Sequence, residues 1–179
     1  MYAHCSLCFK DDFMVVAETP RLRIRHLTAA DVTFTCRLLN EPSFIENIAD
    51  RGVRNELDAM HYLAEGPIKS YRQHGYGLFL VEECISGIPL GFCGLLRRDA
   101  LQETDIGFAF MPQFCGQGYA FEAASAVIHF GYSTLKLKRI VGLTHAGNTA
   151  SIKLLNRLGL QFEKMVKLTP SEDYIQLYA

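Results

Sequence analysis

"MPQFCGQGYAFEAASAVIHF", residues 111–130, decides how the rest of the chain is read. A proline stands near its start, Gly116 and Gly118 lie one residue apart, and from Tyr119 the apolar spacing turns helical. Ala120, Ala123, Ala124, Val127 and Ile128 fall on one face, and the alanines are small enough to bring the helix axis close to a sheet. The first turn of such a helix leaves backbone N–H groups without partners, and their aligned dipoles favour an anion. Glycine at 116 and 118 removes the Cβ atoms that would stand between those donors and a phosphate. The segment therefore reads as a strand-to-helix junction that holds a pyrophosphate by main chain, although an isolated G-x-G also serves as a tight connection after a proline. No G-x-x-x-x-G-K-[ST] occurs, and position 121 is Phe where a dinucleotide fingerprint needs its third glycine, so neither an ATP-type P-loop nor that fingerprint is present.

Upstream, "YGLFLVEE" (76–83), "IPLGFCGLLR" (88–97) and "ETDIGFAFM" (103–111) are short apolar runs with Ser86-Gly87 as a turn, which predicts three sequential antiparallel strands. Further back, "RLRIRHL" (21–27) alternates Leu22, Ile24 and His26 with arginines as a half-buried strand does. "TAADVTFTCRLLN" (28–40) follows as a first helix, with Thr28 as N-cap and Asp31 as its acidic capping partner. Residues 56–73 carry helical spacing interrupted at Gly66-Pro67, which predicts a kinked or broken second helix; "FIENIADRG" (44–52) fits neither period. Downstream come a strand in "KRIVGLTHA" (138–146), a helix in "NTASIKLLNRLG" (148–159) and strands in "LQFEKMVKL" (160–168) and "DYIQLYA" (173–179). The fold class is mixed α+β, a central mostly antiparallel sheet with helices on its faces.

At 179 residues, 49% hydrophobic and 21% charged, the chain suits one globular domain with a single core. It divides into an N-terminal extension, 1–18, and a domain, 19–179. A net charge of −1 with no basic run argues against nucleic acid or an anionic membrane as partner and for a small soluble one. "MYAHCSLCFKDDFMVV" lacks a cationic start and is interrupted by charges, so it reads as neither signal peptide nor membrane span, and the expectation is a cytoplasmic protein. Of six cysteines, three sit in apolar stretches as reduced thiols do. Cys5-x-x-Cys8 has no second pair at ligand spacing, so no metal site is expected.

"PQFCGQGYAFEA" resembles the Q/R-x-x-G-x-G/A pyrophosphate loop of the GNAT acetyltransferases, and "HAGNTASIKLLNRLGLQFE" is similar to the second signature of their ribosomal-protein N-acetyltransferase (RimJ/RimL-like) branch. "TPRLRIRHLTAADV" matches that branch's opening strand and helix, so the resemblance extends over residues 19 to 179. It implies a twisted sheet with two splayed strands that form an acetyl-CoA cleft. Backbone near Phe108, Ala109 and Phe110 would then pair with the pantetheine arm. Gln113, Phe114, Cys115, Gly116, Gln117, Gly118, Tyr119 and Ala120 would wrap the pyrophosphate. It also implies an N-acetyltransferase, monomeric or homodimeric and without metal, that moves acetyl from acetyl-CoA directly to a primary amine, on a protein N-terminus or a small molecule.

Asn148 stands at the family's Asn position, and read alone it is a helix N-cap. Ser151 shares a helical face with Leu155 and Leu158, opposite Lys153, Asn156 and Arg157. By resemblance it protonates the departing CoA thiolate; read alone, it is a serine bonded to the carbonyl four residues back. Asp105, before Ile106-Gly107-Phe108, matches the branch's carboxylate and is the candidate base, with a plain sheet-surface acid as the alternative. His145 is a second titratable group nearby, or a structural histidine at a strand end. Phe44, Ile45, Asn47 and Tyr71 are expected to set acceptor choice. The chain departs from many relatives at Leu155 and Leu143, which replace a tyrosine acid and a glutamate base, and at Phe114 and Cys115, which replace bulkier or charged residues. These departures leave a CoA-binding sensor or interaction domain as the alternative function.

Overall fold

The computed structural model describes residues 14–98, 100–169 and 173–179. The Cys5-x-x-Cys8 pair lies outside the described residues. The three apolar runs become β3 (Leu78–Glu83), β4 (Pro89–Arg97) and β5 (Thr104–Phe110), antiparallel to one another as their tight connections require. Before them, β1 (Val15–Glu18) and β2 (Leu22–His26) extend the sheet on one side. On the other side lie β6 (Ile140–Thr144), β7 (Phe162–Val166) and β8 (Ile175–Tyr178), in the sheet order β1-β2-β3-β4-β5-β6-β8-β7. Residues 15–18, left to the extension in the sequence reading, thus form an edge strand.

Thr28 and Asp31 make the expected reciprocal cap, around a 3₁₀ turn at Ala29–Asp31 that leads into α1 (Val32–Leu39). Part of the ambiguous stretch 44–52 falls in α2 (Pro42–Asn47). The predicted break in the second helix is a π-turn over Ala64–Ile68, between α3 (Glu56–Leu63) and α4 (Lys69–His74), with Pro67 inside it. These helices cover one face of the sheet, where Leu38, Phe44, Leu63, Leu80 and Phe92 pack together. The other face carries α5 (Tyr119–Ser133) and α6 (Thr149–Arg157), packed through Ala123, Ala124, Val127 and Leu155 onto Leu22, Phe79 and Leu95. Gly142 is what allows α6 so close: a Cβ there would meet Leu155 Cδ2 at 2.3 Å.

The alternation in "RLRIRHL" needs one correction. Leu22 and Ile24 are fully buried as expected, but so, nearly, is Arg25, at 5% exposure. Its guanidinium grips Asp31 through two bonds, of 3.0 and 2.9 Å, and reaches Glu82 at 2.9 Å. Two carboxylates supply the partners without which a buried cation would be prohibitively costly.

Candidate active site

The feature that makes a cavity is the parting of β5 and β6. They pair in parallel only at Thr104↔Ile140, Asp105↔Val141 and Ile106↔Gly142. Beyond that, Gly107 to Phe110 keep β4 as their strand partner, while Leu143 and Thr144 turn to β8. A cleft of about 530 Å³ opens in the fork, between Gly107, Phe108 and Ala109 on one side and Leu143, Thr144 and His145 on the other.

Asp105, Phe108, Ala109, Asn148 and Ser151 all line this cleft. Asn148 is the cap of α6: its Oδ1 accepts from the Ser151 backbone N–H at 3.0 Å. Among the described residues the Ser151 hydroxyl has no hydrogen-bond partner, so the back-bonded serine of the alternative reading is not what the structure contains. Leu155 below it is buried against Gly142, and the polar side of α6 carries Lys153, Asn156 and Arg157 as expected.

Asp105 is 1% exposed and therefore not a sheet-surface acid. Its Oδ2 accepts from Arg98 Nε at 2.7 Å, while Oδ1 is buried without a hydrogen-bond partner among the described residues. Burial pushes the carboxyl up to about 6; the neighbouring Arg98 guanidinium and, more weakly, the Leu143 backbone amide pull the other way.

At the far end of β5 the chain passes through a 3₁₀ turn at Pro112–Phe114 into the glycine pair. Both glycines have left-handed backbone, φ +76° at Gly116 and +83° at Gly118, which side chains with a Cβ rarely adopt. A Cβ at Gly116 would meet nothing within 4 Å, so its surroundings are open. Gly118 is the N-cap of α5 and offers no side-chain cap. The first backbone bond of the helix is Glu122 N–H to the Gly118 carbonyl at 3.1 Å, and the N–H groups of residues 118–121 donate to no acceptor among the described residues. Phe110 and the residues from Gln113 to Ala120 thus lie beyond the cleft itself, continuing its β5 wall. Gln113 and Phe114 border a second hollow of about 340 Å³ beside α1, with Thr33 and Arg37.

Of the residues expected to choose the acceptor, Phe44 and Asn47 line the cleft and Ile45 does not. Tyr71 is a core residue: its hydroxyl bonds the Leu78 carbonyl and the Leu27 N–H, and its ring stacks on His26 at 3.8 Å. Helical periodicity placed it on an apolar face but could not say which neighbour that face meets. Arg51 and Tyr62, from the α2–α3 segment, and Arg98 are cleft residues that the sequence reading missed. Arg98 had no signal beyond its position at the end of a strand next to the Asp105 hairpin. Among the described residues no group of three or more His, Cys, Asp or Glu is arranged to hold a metal ion, and no helix is long and apolar enough to cross a membrane.

Comparisons with known proteins agree with this architecture. Residues 21–161 match the acetyltransferase (GNAT) domain family. YnaD of Bacillus subtilis (strain 168), an uncharacterized N-acetyltransferase, is 32% identical over 150 residues, which is 83% of this chain and 84% of that protein. The crystal structure of an acetyltransferase from Agrobacterium tumefaciens is similar in fold, with a TM-score of 0.77 at 21% identity over 99% of each chain. A RimL ribosomal alpha-N-protein acetyltransferase in complex with coenzyme A superposes with a TM-score of 0.78 at 16% identity, covering 92% of this chain and 96% of that one. With the forked strands, the bare helix N-terminus and the family match over most of its length, the chain belongs to the GNAT acetyltransferase family.

Proposed function

We propose that the protein transfers the acetyl group of acetyl-CoA directly to the primary amine of a protein N-terminus or a small molecule, with coenzyme A laid along β5 and its diphosphate on the N-terminus of α5. The observation that carries this reading is the fork: an unpaired strand edge at Gly107 to Phe110 leads, through the turn at Pro112–Phe114, to N–H donors at 118–121 that bond no acceptor among the described residues. The edge supplies main-chain partners for an extended amide-bearing arm, and the donors supply an anion site.

The reacting atoms then fall near Asp105 and Ser151, the two polar side chains of the cleft that the resemblance assigns to chemistry. The amine nitrogen attacks the thioester carbon, the C–N bond forms and the C–S bond breaks. Asp105 takes the proton that the amine gives up, directly or through water. A carboxyl pushed up to about 6 is ionised at neutral pH yet far more basic than an ordinary aspartate. The Ser151 hydroxyl, without a hydrogen-bond partner among the described residues, protonates the departing thiolate and is reprotonated by solvent. Juxtaposing amine and thioester removes a large entropic part of the barrier.

The test is a panel of amines, including peptides with different first residues, assayed for release of free CoA thiol. Amine-dependent release together with an acetylated product supports the proposal. Tight acetyl-CoA binding with no release across the panel would favour the CoA-binding sensor, a reading consistent with inert Leu143 lining the cleft and inert Leu155 buried behind it.

A further inference from the structure

The turn between β1 and β2 reaches the phosphate loop from a point 101 positions away in the sequence. There Arg21 makes an unusual set of contacts. Its Nε donates to Glu122 Oε2 at 2.7 Å, with Nη2 2.6 Å from the same oxygen, and its Nη1 donates to the Gln117 carbonyl at 3.1 Å. The guanidinium also lies over the Tyr119 ring, 4.5 Å from its centroid. Thr19 completes the grip, its hydroxyl donating to the other carboxylate oxygen of Glu122 at 2.6 Å. Opposite, Gln117 Nε2 donates to the Gln113 carbonyl at 2.8 Å and closes the loop on itself.

We propose that Arg21, assisted by Thr19, is a positioning residue for the diphosphate of acetyl-CoA: it cancels the charge of Glu122 and braces the glycine loop from behind. This rests on the reading of that loop as the diphosphate site. Glu122 lies in the first turn of α5, where a carboxylate suits the helix dipole but repels an incoming diphosphate. Burial pushes the Glu122 carboxyl up, and its bonds to Thr19 and Arg21 more than reverse this, so it stays ionised and needs a counter-charge. Arg21 provides that charge on the side of Glu122, leaving the donors at 118–121 unengaged. Arginine's planar fork fits the task, since it meets the carboxylate and the Gln117 carbonyl at once where a lysine offers a single point of charge. By holding that carbonyl it fixes the peptide immediately before Gly118, and by covering Tyr119 it fixes the first residue of the helix. The Gly118 backbone passes so near that a Cβ there would stand 3.4 Å from Arg21 Nη2.

The test compares steady-state kinetics with acetyl-CoA and with S-acetylpantetheine, a donor that lacks the diphosphate. For Arg21→Ala the expected result is a KM for acetyl-CoA raised about tenfold with kcat at saturation unchanged, and no change in KM for S-acetylpantetheine. Adding Glu122→Gln to Arg21→Ala recovers part of the loss, because the uncompensated charge is gone. High salt shrinks the effect by screening. Equal losses with both donors would mean that Arg21 only supports the fold, and would overturn the proposal. So would an unchanged acetyl-CoA KM in Arg21→Ala while Gly118→Val raises it; if Gly118→Val also leaves KM unchanged, it is the diphosphate reading of the loop that fails. Should Arg21→Ala not fold by circular dichroism, Arg21→Lys replaces it, with a smaller rise confined to acetyl-CoA expected and no rise overturning the brace.

Discussion

Among the described residues two Arg–Asp pairs have a buried carboxylate, and they are built to opposite specifications. In the first, Arg25 meets both oxygens of Asp31, Thr28 adds its backbone N–H at 2.8 Å, and Glu82 takes the remaining side of the guanidinium. Both side chains are 6% exposed. In the second, Arg98 meets only one oxygen of Asp105, the other oxygen is buried without a partner among the described residues, and Arg98 itself is 30% exposed at the cleft. A fully satisfied carboxylate has no reason to exchange its proton, whereas a half-satisfied one beside an opening is held where proton transfer is easy. The first pair locks the β2–α1 corner together; the second sits under the fork where the thioester is proposed to react.

The contrast can be broken at either end. Asp31→Ala takes two bonds from a buried guanidinium and leaves it Glu82 alone as carboxylate partner, which should cost about 3 kcal/mol, read as a fall in denaturation midpoint; a loss below about 1 kcal/mol would mean the pair is not a structural lock. Asp105→Asn should show the opposite trend. A folded-state carboxyl at about 6 sits above its unfolded value of 3.8, so the folded protein holds the extra proton between those limits and loses stability as pH rises through them. The Asn variant lacks this drain. Its stability relative to the parent should grow across that window, by up to about 3 kcal/mol, and a difference independent of pH would contradict the assignment.

The same substitution should lower kcat about a hundredfold with acetyl-CoA affinity intact, and should remove an acidic limb centred near about pH 6 in the parent's rate profile. Ser151→Ala should lower kcat by about tenfold; full turnover would leave thiolate release to solvent. Smallest of all, Arg51→Glu on the acceptor wall should change acceptor KM about fivefold, in opposite directions for anionic and cationic amines, leaving the KM for acetyl-CoA unchanged.

The order of strands and helices is readable in the chain because its signals are local. Thr28 and Asp31 cap, Gly66-Pro67 interrupts, and the small face of α5 packs down. The glycine turn before α5, proposed to hold the diphosphate, is readable for the same reason: its two glycines are adjacent to the helix they precede. What escaped the sequence reading depends on contacts between distant segments. Arg25 alternates like a solvent-facing residue, and nothing local announces that Asp31 and Glu82 converge on it. Tyr71 follows the helical apolar spacing of residues 56–73, yet packs on His26 instead of lining the cleft. Arg98 and Arg21 acquire their meaning only when the sheet brings one beside Asp105 and the other beside Glu122, seven and 101 positions away.

The central claim is that main-chain donors at the start of α5 hold the diphosphate of coenzyme A. Calorimetric titration of acetyl-CoA into the parent protein and into Gly118→Val measures it directly. Valine at a backbone φ of +83° must distort the loop while the core remains untouched. The account predicts tight binding by the parent, loss of at least about a hundredfold in the variant, and an unchanged circular dichroism spectrum. Equal affinities in two equally folded proteins would contradict it.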